Sequence, residues 1–173
     1  MLYGLLPKVV SVFSSTRFVV EGPSMEPTLW HNDHLLVDRA AFRHEALSRY
    51  SIIVMKDPVL PDHDLVKRIV GLPGERVNVK GGRTLINGRH LPEPYLKARD
   101  VCSELSRAKS RLDPAEVEEW NLDYHQYFVL GDNREYSLYG RDSLLFGAIT
   151  KDLIIGRVWI RCWPPERWGR LSN

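Results

Sequence analysis

Phe18-Val19-Val20-Glu21-Gly22-Pro23-Ser24-Met25-Glu26-Pro27-Thr28-Leu29 is the stretch from which the fold is read. The apolar run Phe18-Val19-Val20 stops at Glu21-Gly22, which reads as a strand leading into a serine-bearing turn. Pro23 fixes the backbone just before Ser24, and Pro27 stiffens the exit three residues later. A hydroxyl held with so little conformational freedom suits a nucleophile that must wait in one place before reacting. The same residues also describe a proline-bracketed turn with no chemistry, since Pro, Gly and Ser are ordinary turn residues.

Further runs of the same kind follow. Asp33 to Asp38 and Ser51 to Met55 are β-rich and bounded by polar residues, with a polar loop or single helical turn from Ala40 to Tyr50 between them. Asp57-Pro58 and Leu60-Pro61-Asp62 punctuate the chain before a strand over Asp64 to Val70. In that strand the period of two puts Leu65, Lys67 and Ile69 on one face and Val66, Arg68 and Val70 on the other. Lys67 therefore has apolar neighbours on its own face. Loss of hydration there disfavours the ammonium, so its pKa is expected to fall towards neutrality, where a free amine can take a proton from a hydroxyl. The bland alternative is a lysine snorkelling from a sheet edge to water. Arg68, on the opposite face, is expected to form a structural ion pair.

Arg76 to Lys80 and Arg83 to Ile86 form a meander, and Asn87-Gly88 is the strongest hairpin signal in the chain. From Ala98 to Asp123 the chain is charged and helix-friendly. Within this stretch, Asp113-Pro114-Ala115-Glu116 offers an N-cap, a proline at the first helical position and a glutamate three after the cap. Tyr127 to Leu130 returns to strand pattern, and Ile149 to Trp163 closes the chain with strand-like runs around Gly156. The expected organisation is a short apolar segment (1–17), a β core in two parts (18–97 and 127–173), and a small polar, partly helical insertion (98–126) between them.

With 173 residues, 43% hydrophobic and 27% charged, the chain is long enough for one domain with a real core. A net charge of +2 and the lack of any Lys/Arg block argue against nucleic acid as a partner. Cys102 and Cys162 lie far apart and in no metal-ligand spacing, so both are expected to be free thiols. His31 and His34 flank Asp33 without further ligands at a metal spacing, and neither metal nor cofactor is expected. Met1 to Phe13 is mostly apolar but contains Pro7 and Lys8, and it falls short of the roughly 20 residues of a bilayer span. Nor does a charged n-region precede it, as in a cleavable signal. An interfacial anchor, the stub of a longer anchor and a first core strand all remain open; some membrane contact is favoured.

Three stretches then stand in order: Gly22-Pro23-Ser24-Met25-Glu26-Pro27-Thr28-Leu29, Asp64-Leu65-Val66-Lys67-Arg68-Ile69-Val70-Gly71-Leu72-Pro73-Gly74-Glu75, and Gly131-Asp132-Asn133-Arg134-Glu135-Tyr136-Ser137. Together they closely resemble the type I signal peptidases, Ser/Lys proteases that remove signal peptides from exported proteins. A weaker match runs from Ile86-Asn87-Gly88 to Glu93-Pro94-Tyr95-Leu96. The resemblance implies a mainly β fold of coiled antiparallel sheets, with an apolar surface resting on the membrane. It implies Ser24 as nucleophile, Lys67 as general base, and Ser137 as the serine that orients the lysine amine. The Ser24 backbone N–H becomes the main oxyanion donor. Gly22 stands where some members carry a second donor serine, so any extra donor would be backbone.

By the same resemblance, Val20, Met25, Leu65 and Val66 line the shallow pockets that select small residues in an Ala-X-Ala site. Asp132, Asn133, Arg134, Arg141, Asp142 and Ser143 support the site. The partners implied are signal peptides of preproteins, the surface of the cytoplasmic membrane, and a nearby export channel, with the active site on the extracytoplasmic side. Trp30, Trp159, Trp163 and Trp168 are candidates for the membrane-facing surface, although core packing is expected of most of them. The chain departs from the family pattern after Ser137. Three residues are inserted, and Leu144 stands where the family has an arginine, so Arg141 is expected to supply the missing cation to Asp142.

Other readings fit less well. The altered segment after Ser137 suggests a catalytically impaired relative acting as a signal-peptide-binding module. A self-cleaving repressor of the LexA kind would need a DNA-binding domain and cleavage loop that the residues before Ser24 do not provide. A Ser/His/Asp hydrolase, suggested by Asp62-His63-Asp64, lacks a Gly-X-Ser-X-Gly elbow around Ser24.

Overall fold

The computed structural model describes residues 15–40, 47–80, 82–96, 119–134 and 141–171. The strands are β1 (Ser15–Val19), β2 (His34–Asp38), β3 (Ile52–Lys56), β4 (Asp64–Gly71), β5 (Arg76–Lys80), β6 (Arg83–Ile86), β7 (Arg89–His90), β8 (Glu119–Asn121), β9 (Gln126–Leu130), β10 (Ile149–Thr150), β11 (Ile154–Trp163) and β12 (Gly169–Arg170). One short helix, α1 (Ser143–Phe146), precedes β10. The fold is mainly β, and every strand pairing is antiparallel.

The larger sheet has eight strands in the order β1-β2-β11-β3-β4-β9-β10, with β12 added to β11. Its centre is buried on both faces, which is why β3 reads as a continuous apolar run. Alternation sends Ile52 and Val54 into one cluster with Val20, Met25, Leu29, Leu35, Val37 and Val158. Ile53 and Met55 go to the other side, with Leu47, Ile69, Tyr127, Val129 and Ile149. β11 spans the sheet and carries register shifts against both β2 and β3. Gly156 is required there: a Cβ would lie 2.5 Å from Val37 Cγ1 and 2.9 Å from the Asp38 carbonyl oxygen.

The smaller sheet, β7-β6-β5-β8, joins the larger one through a third cluster around Val70, Val77, Phe128 and Leu130. The Asn87-Gly88 signal is correct. Both residues have positive φ, 51° and 79°, in the tight turn between β6 and β7. The strand expected to start at Phe18 begins at Ser15. Of the polar stretch 98–126, residues 98–118 lie outside the described residues, including the Asp113-Pro114 helix start. The part that is described brings β8 beside β5 and buries Leu122. Among the described residues no helix is long and apolar enough to cross a membrane.

Candidate active site

The serine turn is built from its own backbone. Glu26 N–H donates to the Pro23 carbonyl at 3.0 Å and Leu29 N–H to the Met25 carbonyl at 2.9 Å, while Met25 and Leu29 plug into the first cluster. From the far side, Asn133 clamps the turn twice: its N–H donates to the Ser24 carbonyl at 3.1 Å and its Nδ2 to the Pro23 carbonyl at 3.2 Å. Among the described residues the Ser24 N–H makes no backbone hydrogen bond, so it can serve a ligand. Gly22, at φ 79°, donates its N–H to His31 Nδ1 at 3.3 Å.

Lys67 lies on β4 and is 3% exposed. Its Nζ is 3.0 Å from Ser24 Oγ and 3.0 Å from the Val66 carbonyl oxygen. Burial pushes the amine down from 10.5 to about 8; the nearby charges of Asp142 and Asp132 act against that shift, and Arg141 acts with it. The face argument made from sequence thus holds, and the amine does not snorkel to water. As an ammonium it donates to the serine hydroxyl; as a free amine it can accept the hydroxyl's proton.

A buried network holds this pair in place. Arg68, as expected, forms an ion pair: its Nε and Nη2 donate to the two carboxylate oxygens of Asp132 at 2.8 and 2.6 Å. Thr28 Oγ1 donates to the same carboxylate at 2.5 Å, tying the serine turn to it. The Arg68 guanidinium also lies 4.0 Å from the centre of the Tyr95 ring. Burial and the Glu93 charge hold the Tyr95 phenol well above its ordinary value, so it stays a neutral donor to Glu93. Arg134, 2% exposed, ion-pairs with Glu93 and donates to the carbonyls of Gly131 and Gly82 at 2.9 and 3.0 Å. Asp142 caps α1 by accepting from Leu144 N–H at 3.0 Å, and Ser143 Oγ accepts from Val129 N–H at 2.9 Å.

Two expectations need correction. Arg141 does not serve Asp142: its Nη1 donates to Asp57 Oδ2 at 2.7 Å, because that fully buried carboxylate lies within its reach. Most of the candidate tryptophans are not core residues either. Trp30, Trp163 and Trp168 are 40%, 51% and 67% exposed, since they stand at a turn, at the end of β11 and just after the single 3-10 turn Pro165–Arg167. Only Trp159 of the four is partly buried, with its indole N–H on Ser15 Oγ.

Among the proposed pocket residues, Val20, Met25 and Val66 come together in or against the first cluster, whereas Leu65 packs against the second. β9 pairs with β4 only from Arg68 onward, so residues 65–67 keep one strand edge without a ladder partner among the described residues. Ser137 lies outside the described residues, as does Cys102; Cys162 is a free thiol. Sequence reasoning missed Thr28 and Asp57 altogether. Thr28 stood inside a quoted motif without a role, and Asp57 passed as turn punctuation before Pro58.

The model of the family described as "Signal peptidase, peptidase S26" matches residues 1–163. The chain belongs to the signal peptidase family. It is a hydrolase, a serine endopeptidase of the signal peptidase I type. Signal peptidase IB of Staphylococcus aureus (strain COL) is 33% identical over 162 residues, covering 90% of this chain and 82% of that protein. Signal peptidase I V of Bacillus subtilis (strain 168) is 36% identical over 141 residues, covering 80% of each. A crystal structure of a signal peptidase I from Enterococcus faecalis V583 is 28% identical, covers 65% of this chain and 97% of that one, and has a TM-score of 0.46.

Proposed function

We propose that this chain removes N-terminal signal peptides from exported preproteins by Ser24/Lys67 dyad catalysis, cleaving after small residues at Ala-X-Ala sites. The observation that carries the reading is the 3.0 Å approach of a buried amine to Ser24 Oγ. In the proposed reaction Ser24 Oγ attacks the scissile carbonyl carbon while its proton passes to Lys67 Nζ. The Ser24 N–H donates to the developing oxyanion; one such donor is typically worth about 3 kcal/mol. Collapse breaks the C–N bond, and the proton returns from Nζ to the leaving amine. Water, deprotonated by the same amine, then hydrolyses the acyl-serine. Ser137 is assigned the role of orienting the Lys67 amine.

The edge at residues 65–67, which has no ladder partner among the described residues, supports docking of the substrate as an added strand, whose alternate side chains would meet Val20, Met25, Leu65 and Val66. We assign the domain organisation as one β core in two parts, 18–97 and 127–173, interrupted by the insertion 98–126. Membrane association is the natural companion of this substrate, with the site on the extracytoplasmic side near the export channel. Exposed Trp30, Trp163 and Trp168 supply the amphipathic side chains that favour a membrane–water interface, and exposed Val19 adds apolar area.

The test is cleavage of a labelled preprotein with an Ala-X-Ala site in lipid vesicles, with Ser24→Ala alongside. Cleavage after the small residue by the wild type only is the expected result. If neither protein cleaves while both bind the preprotein, the chain is a signal-peptide-binding module and the catalytic reading fails.

A further inference from the structure

Asp57 follows the last residue of β3 and its side chain is fully buried. Its Oδ1 organises the loop into β4 by accepting from Val59 N–H at 2.8 Å and Leu60 N–H at 3.2 Å. Its Oδ2 is left to Arg141 at 2.7 Å. A carboxylate taken out of water needs such a partner, and removing one member of a buried pair leaves an uncompensated charge. Arg141 immediately precedes Asp142, the residue that caps α1 and also accepts from Gly131 N–H at 3.4 Å. One bond therefore ties the β3–β4 loop to the segment that holds Asp142 against the end of β9.

We propose that the Arg141–Asp57 ion pair is a positioning device for the dyad: it fastens the Asp142 segment to the β3–β4 loop and so fixes the charges around Lys67. The inference rests on the Ser24/Lys67 reading. The charged groups that weigh most on the amine are Asp142 at the cap of α1, Asp132 after β9, Arg141 before α1 and Asp57 after β3. Arg141 favours the free amine, while the three carboxylates favour the ammonium. Arg141 and Asp57 thus offset one another at Lys67, and neither is a catalytic residue.

The experiment is the pH profile of kcat/KM for preprotein cleavage by the wild type, Arg141→Met, Asp57→Asn and the double variant. The Asn variant keeps an oxygen for the loop N–H groups, and circular dichroism checks each fold. Arg141→Met should move the ascending limb to higher pH by about half a unit to one unit. At pH 7 that lowers kcat/KM by about three- to tenfold. Asp57→Asn should move the limb the opposite way, and the double variant should return to within about 0.3 unit of wild type. Limbs that stay put in both single variants, or that move in the same direction, overturn the proposal. Loss of rate without any movement also overturns it, since a merely structural pair would give that result. Should Arg141→Met fail to fold, Arg141→Lys replaces it: the charge is kept, so the limb should stay, and a shift there is a refutation. Ser24→Ala and Lys67→Met run alongside. If either cleaves, the dyad itself is wrong; if both are inactive while the limbs do not respond, only the positioning role fails.

Discussion

Replacing Lys67 by Met should make the protein more stable at neutral pH, and the gain should vanish in alkali. The amine falls from 10.5 in an unfolded chain to about 8 in the fold. Below pH 8 it is charged in both states, and the fold bears the full penalty of an ammonium out of water. At about 1.4 kcal/mol per pH unit, that penalty is about 3 kcal/mol. Between pH 8 and 10.5 the folded protein releases the proton while the unfolded chain keeps it, so the unfolded state binds more protons and wild-type stability rises with pH. Above 10.5 the penalty is gone.

Methionine fills similar space without a charge but leaves the Val66 carbonyl, 3.0 Å from Nζ, without its donor, which costs about 1 kcal/mol. The net gain at pH 7 is therefore about 2 kcal/mol, or roughly 4–8 °C in Tm for a chain of this size. Near pH 10.5 the variant should be slightly the less stable. The assay is thermal unfolding in a Ser24→Ala background, with and without Lys67→Met, from pH 6 to 10.5. A Tm difference that does not change with pH, or a variant less stable than its parent at pH 7, would refute the claim that burial lowers this amine.

Two further outcomes follow from the same geometry. The kcat/KM of the wild type should rise about tenfold per unit up to a midpoint near pH 8 and then level, because only the free amine can accept the Ser24 proton; at pH 7 about one molecule in ten carries it, against roughly one in 3,000 for an ordinary lysine. A preprotein cleavage series from pH 6 to 9.5 checks this, and Lys67→Met should be inactive throughout. Asp132→Ala should cost about 3–5 kcal/mol of stability in urea unfolding, since it leaves the 3% exposed Arg68 charge without its two carboxylate bonds and Thr28 without its acceptor.

Short-range features were legible in the sequence because their physics is local. The period of two along β4 placed Lys67 among apolar neighbours, Asn87-Gly88 announced its turn, and the continuous apolar run of β3 follows from a sheet covered on both faces. What could not be read was which distant groups meet. Asp57 and Arg141 are 84 positions apart, and their bond depends on how the β3–β4 loop turns back towards α1, which no local pattern encodes. Asp142 offered Arg141 the nearer partner in sequence, yet its oxygens already accept backbone N–H groups from Leu144 and Gly131. The tryptophans failed for a related reason. Residue type predicts burial on average, but Trp163 is the last residue of β11 and Trp168 follows the 3-10 turn Pro165–Arg167, and both are left exposed.

The carboxylates near Lys67 explain how an intrinsically strong base can work near neutral pH. A buried lysine beside a carboxylate would ordinarily form an ion pair, and its pKa would climb back up. Here each neighbouring carboxylate has donors of its own. Asp132 is taken by Arg68 and Thr28, Asp57 by Arg141 and two loop N–H groups, and Asp142 by backbone N–H groups. Their charges reach the amine only at a distance, so desolvation remains the larger effect. Among the described residues the closest polar partners of Nζ are then a hydroxyl and a peptide carbonyl, which support the amine in either protonation state. A histidine would arrive near neutrality unaided; a lysine does so only inside a sheet whose acidic neighbours are already engaged. The ion pairs of this site therefore serve the chemistry by keeping carboxylates away from Lys67 as well as by holding the fold together.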